Sequence, residues 1–166
     1  MAPARLMTRL WIYALPLALV AGCSDILLPD FTLQEGHLAS CPTDRDCVST
    51  QDQDESRHVA PLEYQSNRDK AHDDLVAAIV SMSDGHIVSN HRTYVRAQFA
   101  ETGDTSSNPK YFYQLESAVD EVEFYMEPNS QRIEIRALSK QGLLGNGSNR
   151  ARIEKIRVIF QKLQQT

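Results

Sequence analysis

The chain has 166 residues, with 17 Lys+Arg against 22 Asp+Glu, 42% apolar and 23% charged side chains, which is the balance of one soluble domain. A mean hydropathy of −0.40, with the long apolar run confined to the N-terminus, excludes a polytopic membrane protein. Seven Gly and seven Pro exclude a low-complexity chain.

Arg5 and Arg9 precede an apolar run, Leu10 to Val20, that is too short for the roughly 18 to 20 residues needed to span a bilayer, so residues 1–22 read as a signal peptide. The run ends in Val20-Ala21-Gly22-Cys23, which resembles the bacterial lipobox, the site at which a cysteine receives diacylglycerol through a thioether and becomes the acylated N-terminus. Cys23 is therefore the expected lipidation site, a palmitate-type membrane anchor. By resemblance to lipoprotein sorting in diderm bacteria, Ser24 in place of Asp assigns the protein to the cell outer membrane, facing the periplasm. Several acyl chains on one cysteine hold a protein stably, since each buried methylene contributes about 0.8 kcal/mol. Cleavage before Cys23 removes two arginines and no acid, so the mature chain is more acidic than the −5 of the full sequence. That balance, with export, argues against nucleic acid as a partner.

With Cys23 assigned to lipid, Cys41 and Cys47 remain as an even pair in an oxidising compartment. A disulfide across C-x5-C would close a short polar loop and contribute about 2 kcal/mol through chain entropy. Redox catalysis, which favours C-x-x-C, and a zinc site, which needs four ligands, stand as alternatives.

Residues 23–40 mix short apolar pieces with Pro29 and Gly36 and read as a lipidated tether; residues 41–166 read as one folded domain. Val59 to Tyr64, interrupted by Pro61, is at best an edge strand. Ala71, Leu75, Ala78, Ile79 and Met82 form one helical stripe and predict a helix over Asn67 to Met82, with Ser66 and Asp69 as a capping box and Gly85 as a left-handed stop. A strand beginning at Ile87, a turn at Asn90-His91 and an alternating strand from Thr93 to Phe99 predict a hairpin. Thr102 to Pro109 is a turn-rich loop, with Tyr111 to Tyr113 as a continuation of the sheet.

Val122, Phe124 and Met126 alternate with Glu121, Glu123 and Tyr125; after Pro128-Asn129-Ser130, Ile133, Ile135 and Ala137 alternate with Arg132, Glu134 and Arg136. The charged side of this hairpin reads as a solvated outer face. A second helix is predicted over Arg150 to Leu163, with Ile153, Ile156, Ile159, Phe160 and Leu163 on its apolar stripe. The whole predicts an α+β domain in which two helices pack on one face of an antiparallel four- to five-stranded sheet.

Cys41-Pro42 with Cys47-Val48-Ser49, Asp120-Glu121-Val122-Glu123-Phe124, Ile133-Glu134-Ile135-Arg136, Gly142, Gly147 and Asn149-Arg150-Ala151-Arg152 resemble the domain of unknown function 1499 family of bacterial envelope and plastid proteins. The resemblance covers nearly the whole folded unit. Residues 100–109 look like an insertion. It implies fold and compartment and offers no reaction.

The one constellation with a functional reading is the glycine loop before the second helix. Gly142, Gly145 and Gly147 allow backbone N–H groups to converge, Asn149 opens the helix, and Arg150 and Arg152 place cations where a helix dipole favours acids, an arrangement suited to an anion. The spacing matches neither the P-loop nor the dinucleotide fingerprint. The alternative is structural: glycines turning the chain, Ser148 or Asn149 capping, and the arginines paired with Asp120, Glu121 or Glu123. His37, His58, His72, His86 and His91 are scattered, and no metal or other cofactor is expected. Ser49 and Ser139 lack a hydrolase elbow, and Asp120 and Glu123 fall on opposite faces of one strand. The expectation is a non-catalytic envelope module that binds an anionic component or a protein partner, with an enzyme of envelope metabolism as the alternative.

Overall fold

A computed structural model describes Leu33 and residues 36–100, 119–139 and 147–166. Eight elements follow in order: β1 (Cys47–Ser49), β2 (Leu62–Glu63), α1 (Arg68–Val80), β3 (Gly85–His91), β4 (Tyr94–Ala100), β5 (Val119–Met126), β6 (Arg132–Ser139) and α2 (Ser148–Gln164). The sheet is antiparallel with strand order β1-β6-β5-β4-β3, and β2 also pairs with β6. The α+β reading holds. The described sheet has six strands, because β1 and β2 are two short segments that share one edge of β6. Two- and three-residue strands carry too little alternation to register in the sequence. The signal peptide, Cys23, the loop after β4 and Tyr111 to Tyr113 lie outside the described residues.

The core forms where the predicted stripes meet. Leu75, Ile79, Ile153, Ile156 and Phe160 of the helices pack on Val95, Phe99, Val122, Phe124, Ile133 and Ile135 of the sheet, all buried. Both helices thus cover one face. Asn67 caps α1 by accepting the Lys70 N–H at 2.9 Å, so the expected Ser66/Asp69 box does not form; Ser66 bonds Gln164 of α2 instead. Gly85 is no left-handed stop. Among the described glycines only Gly36 and Gly147 have positive φ. Gly85 is required for close approach, since a Cβ there would lie 2.9 Å from both the Ile79 carbonyl oxygen and the Phe99 ring. An irregularity between Ile87 and Ser89 lets β3 run on to His91, which pairs with Tyr94, and moves the turn to Arg92-Thr93. His72, on the buried side of α1, places Nε2 at 2.7 Å from Asn90 Oδ1 of β3.

The opposite face overturns the expectation of a solvated surface. Every residue of β5 is buried, Glu123 completely. The Tyr94 hydroxyl donates to Glu123 Oε1 at 2.6 Å and Arg136 donates to Oε2 at 2.8 Å. Arg96 lies 3.7 Å from Glu121, and Glu134 accepts from Arg132 at 2.7 Å and from the Thr50 hydroxyl at 2.5 Å. A second apolar cluster of Leu38, Tyr94 and Tyr125, with Leu33 against it, packs on the same side. The charges are tolerated there because they are matched and hydrogen-bonded.

Candidate functional site

The sequence brings Cys41 and Cys47 close enough to bond, and the structure joins them: the disulfide is formed, with 5.6 Å between the Cα atoms. Cys47 begins β1 and pairs with Leu138, while the Ser139 N–H donates to the Asp46 carbonyl at 2.9 Å. The short loop is therefore fixed to β6 at its C-terminal end and cross-linked at the other.

Asp46 connects this loop to α2. Gly147 is the N-cap residue of α2, left-handed at φ 67° and with no side chain to give, and the first helical turn holds no acid. Asp46 supplies what is missing: its Oδ2 accepts the Asn149 N–H at 3.3 Å, the Ser148 hydroxyl at 3.2 Å and Asn149 Nδ2 at 3.4 Å. Its backbone carbonyl accepts Asn149 Nδ2 at 3.0 Å. An acid about a hundred residues upstream in sequence thus complements the helix terminus.

The candidate residues separate around this turn. Asn149 points inward and is fully buried, donating also to Ser139 Oγ at 2.9 Å. Arg152 points toward the core side of the sheet, 2.7 Å from Asp120 Oδ2, with its guanidinium 5.0 Å from the centre of the Phe99 ring. It also donates to Asn149 Oδ1 at 2.8 Å. Arg150 points the other way and donates to the carbonyls of His58 and Ser56, both at 2.8 Å. Gly147 and Arg150 are therefore brought together, Asn149 and Arg152 are turned inward, and Gly142 and Gly145 lie outside the described residues.

Gly147 and Arg150 line a cleft of about 400 Å³, whose other wall is the disulfide loop: Pro42, Thr43, Arg45, Asp46 and Cys47, with Ser56 and Arg57 beside them. Three arginines and one acid, Asp46, line it. Arg57 is neutralised, 3.0 Å from Asp52 and 3.6 Å from Asp54. Among the described residues, exposed Arg45 reaches only Asp44, at 3.9 Å, and Arg150 bonds carbonyls and no carboxylate. A guanidinium has five N–H donors in a fixed fork, so Arg150 retains donors for a ligand. Arg45 and Asp46 carry no motif within the C-x5-C loop; only the chain's return to α2 makes them part of a site.

The loop behind Arg57 is held by acids. The Asp54 N–H, and then Arg57, keep the Asp52 carboxyl below its ordinary range, and the Ser56 hydroxyl and N–H do the same for Asp54. Among the described residues no group of three or more His, Cys, Asp or Glu side chains is placed to hold a metal, and no helix is long and apolar enough to cross a membrane.

A family model described as protein of unknown function, DUF1499, matches residues 37–160. The chain belongs to the DUF1499 family. The match runs from His37, ahead of the disulfide loop, to Phe160 near the end of α2, so both walls of the cleft lie inside the DUF1499 domain. No curated protein and no solved structure matches the chain.

Proposed function

We propose that this DUF1499 protein is a non-catalytic binding module of the cell envelope, held to the outer membrane by lipid on Cys23 and facing the periplasm, and that it takes an anionic envelope component into the cleft between the disulfide loop and α2. The observation that carries this reading is the pair of guanidiniums that border the cleft: Arg45, exposed and only loosely paired with exposed Asp44 at 3.9 Å, and Arg150, which among the described residues bonds carbonyls alone. Asp46 Oδ2 already serves the helix terminus, so the ligand's negative charge is read by the arginine side chains.

A photoreactive residue at Thr43, on the exposed rim, tests it in intact cells. The expected result is a crosslinked acidic component that disappears with Arg45→Glu combined with Arg150→Lys and persists with Lys155→Glu on the exposed side of α2. A crosslink indifferent to all three substitutions sinks the anion reading. The anchor is checked separately: radiolabelled palmitate should enter the native chain and be absent from Cys23→Ser.

A further inference from the structure

Resting on the anion-binding reading above, the geometry points to Asp46 as the residue that sets the ligand class: an anionic sugar, in which a phosphate or carboxylate stands next to a hydroxyl. Asp46 is 8% exposed and lines the cleft, yet all its side-chain hydrogen bonds fall on Oδ2. Oδ1 accepts none among the described residues and keeps contact with solvent. A ligand that fills the cleft displaces the water at Oδ1, and an oxygen with no protein donor then favours a ligand group that brings one. Beside it, Arg45 and Arg150 favour negative charge. A bare anion satisfies the arginines and is repelled by Oδ1; an anion with an adjacent hydroxyl satisfies both, the hydroxyl donating to Oδ1. The volume, about 400 Å³, falls in the range of small-molecule sites and exceeds what an isolated phosphate fills.

Asp46 cannot move away to relieve that repulsion. It sits inside the cross-linked loop, one residue before β1, and its Oδ2 must remain an acceptor for the Asn149 N–H and the Ser148 hydroxyl. This makes Asp46→Asn informative. The amide oxygen has to take the Oδ2 position, which places the amide nitrogen, a donor, where Oδ1 stood.

The test measures binding of glucose 1-phosphate, 2-deoxyglucose 1-phosphate and inorganic phosphate to the full mature protein in detergent. The wild type should prefer glucose 1-phosphate by about tenfold over both others, the size of one charged hydrogen bond. Asp46→Asn, with unchanged circular dichroism, should lose that preference and bind inorganic phosphate several-fold more tightly. The deoxy sugar gives the same answer on unaltered protein should the variant misfold. Vesicles of phosphatidylcholine with and without phosphatidylinositol distinguish a lipid headgroup from a free sugar phosphate, and binding to either source supports the assignment. Equal affinity for all three soluble probes, unchanged in Asp46→Asn, overturns the role of Asp46 and leaves the anion cleft standing. Binding of none of them, in solution or on vesicles, overturns both.

Discussion

The two faces of the sheet are built from alternate residues of the same strands and solve burial in different ways. On the helix side, Phe124, Ile133 and Ile135 meet Ile153, Ile156 and Phe160, and the stabilisation is non-directional and tolerant of small rearrangement. On the other side, Glu123 is as deeply buried as Phe124, its neighbour in β5, but its stability depends on specific donors, Tyr94 and Arg136 among them. The comparison teaches that strand alternation reports which residues share a face and says nothing about whether the polar face meets water. That is decided by what else in the chain lies over it, including Leu38 and Leu33 against Tyr94 and Tyr125.

The sharpest way to break the comparison is to truncate neighbours on opposite faces. Glu123→Ala strands Arg136 and the Tyr94 hydroxyl in a buried site and should cost about 3–5 kcal/mol in urea unfolding, comparable to about 3–5 kcal/mol for Phe124→Ala. A cost for Glu123→Ala within about 0.5 kcal/mol, the range of surface substitutions, would mean that the polar face is solvated after all. The Cys41→Ser, Cys47→Ser variant releases the loop joined to the outer edge of β6 and should lose about 2 kcal/mol, read as a lower denaturant midpoint without loss of helix signal. On the helix side, Asn67→Ala removes the acceptor for the Lys70 N–H and should cost about 1 kcal/mol, while Ser66→Ala should cost less, in accord with the observed cap. The smallest effect is acid sensitivity of the loop over residues 52–57. Asp52 and Asp54 titrate lower when folded than when unfolded, so their stabilisation is present above the ordinary carboxyl value near 3.9 and is lost as the pH falls through their lowered folded values. The protection of the Arg57 amide, relative to its intrinsic exchange rate at the same pH, should fall below about pH 4, with little change at Ile135.

Much of the fold was legible. The stripe from Ala71 to Met82, the stripe from Ile153 to Phe160, and the alternation through Val122 to Met126 and Ile133 to Ala137 each predict one buried face, and each packs in the described core. Their ends were less legible. Ser148 and Asn149 have the chemistry of N-caps, yet both lie within α2, because the Asp46 carboxylate bonds its first turn. Of the candidate site, the sequence brings Gly147 and Arg150 to notice but not their partners, since Arg45 and Asp46 stand roughly a hundred residues away in a loop without a motif. Arg150 and Arg152, two residues apart on a helix, point to different surroundings, as a rotation of about 200° at 3.6 residues per turn requires.

The sequence by itself determined the main periodic elements and their apolar sides and pointed to a bond between Cys41 and Cys47, because apolar spacing and loop closure are local in the chain. Only the tertiary structure decided that a charged strand face is buried and that Asp46 meets the start of α2. Both follow from contacts between distant segments, where the cost of burying a charge depends on which partner arrives, and no local pattern encodes that arrival.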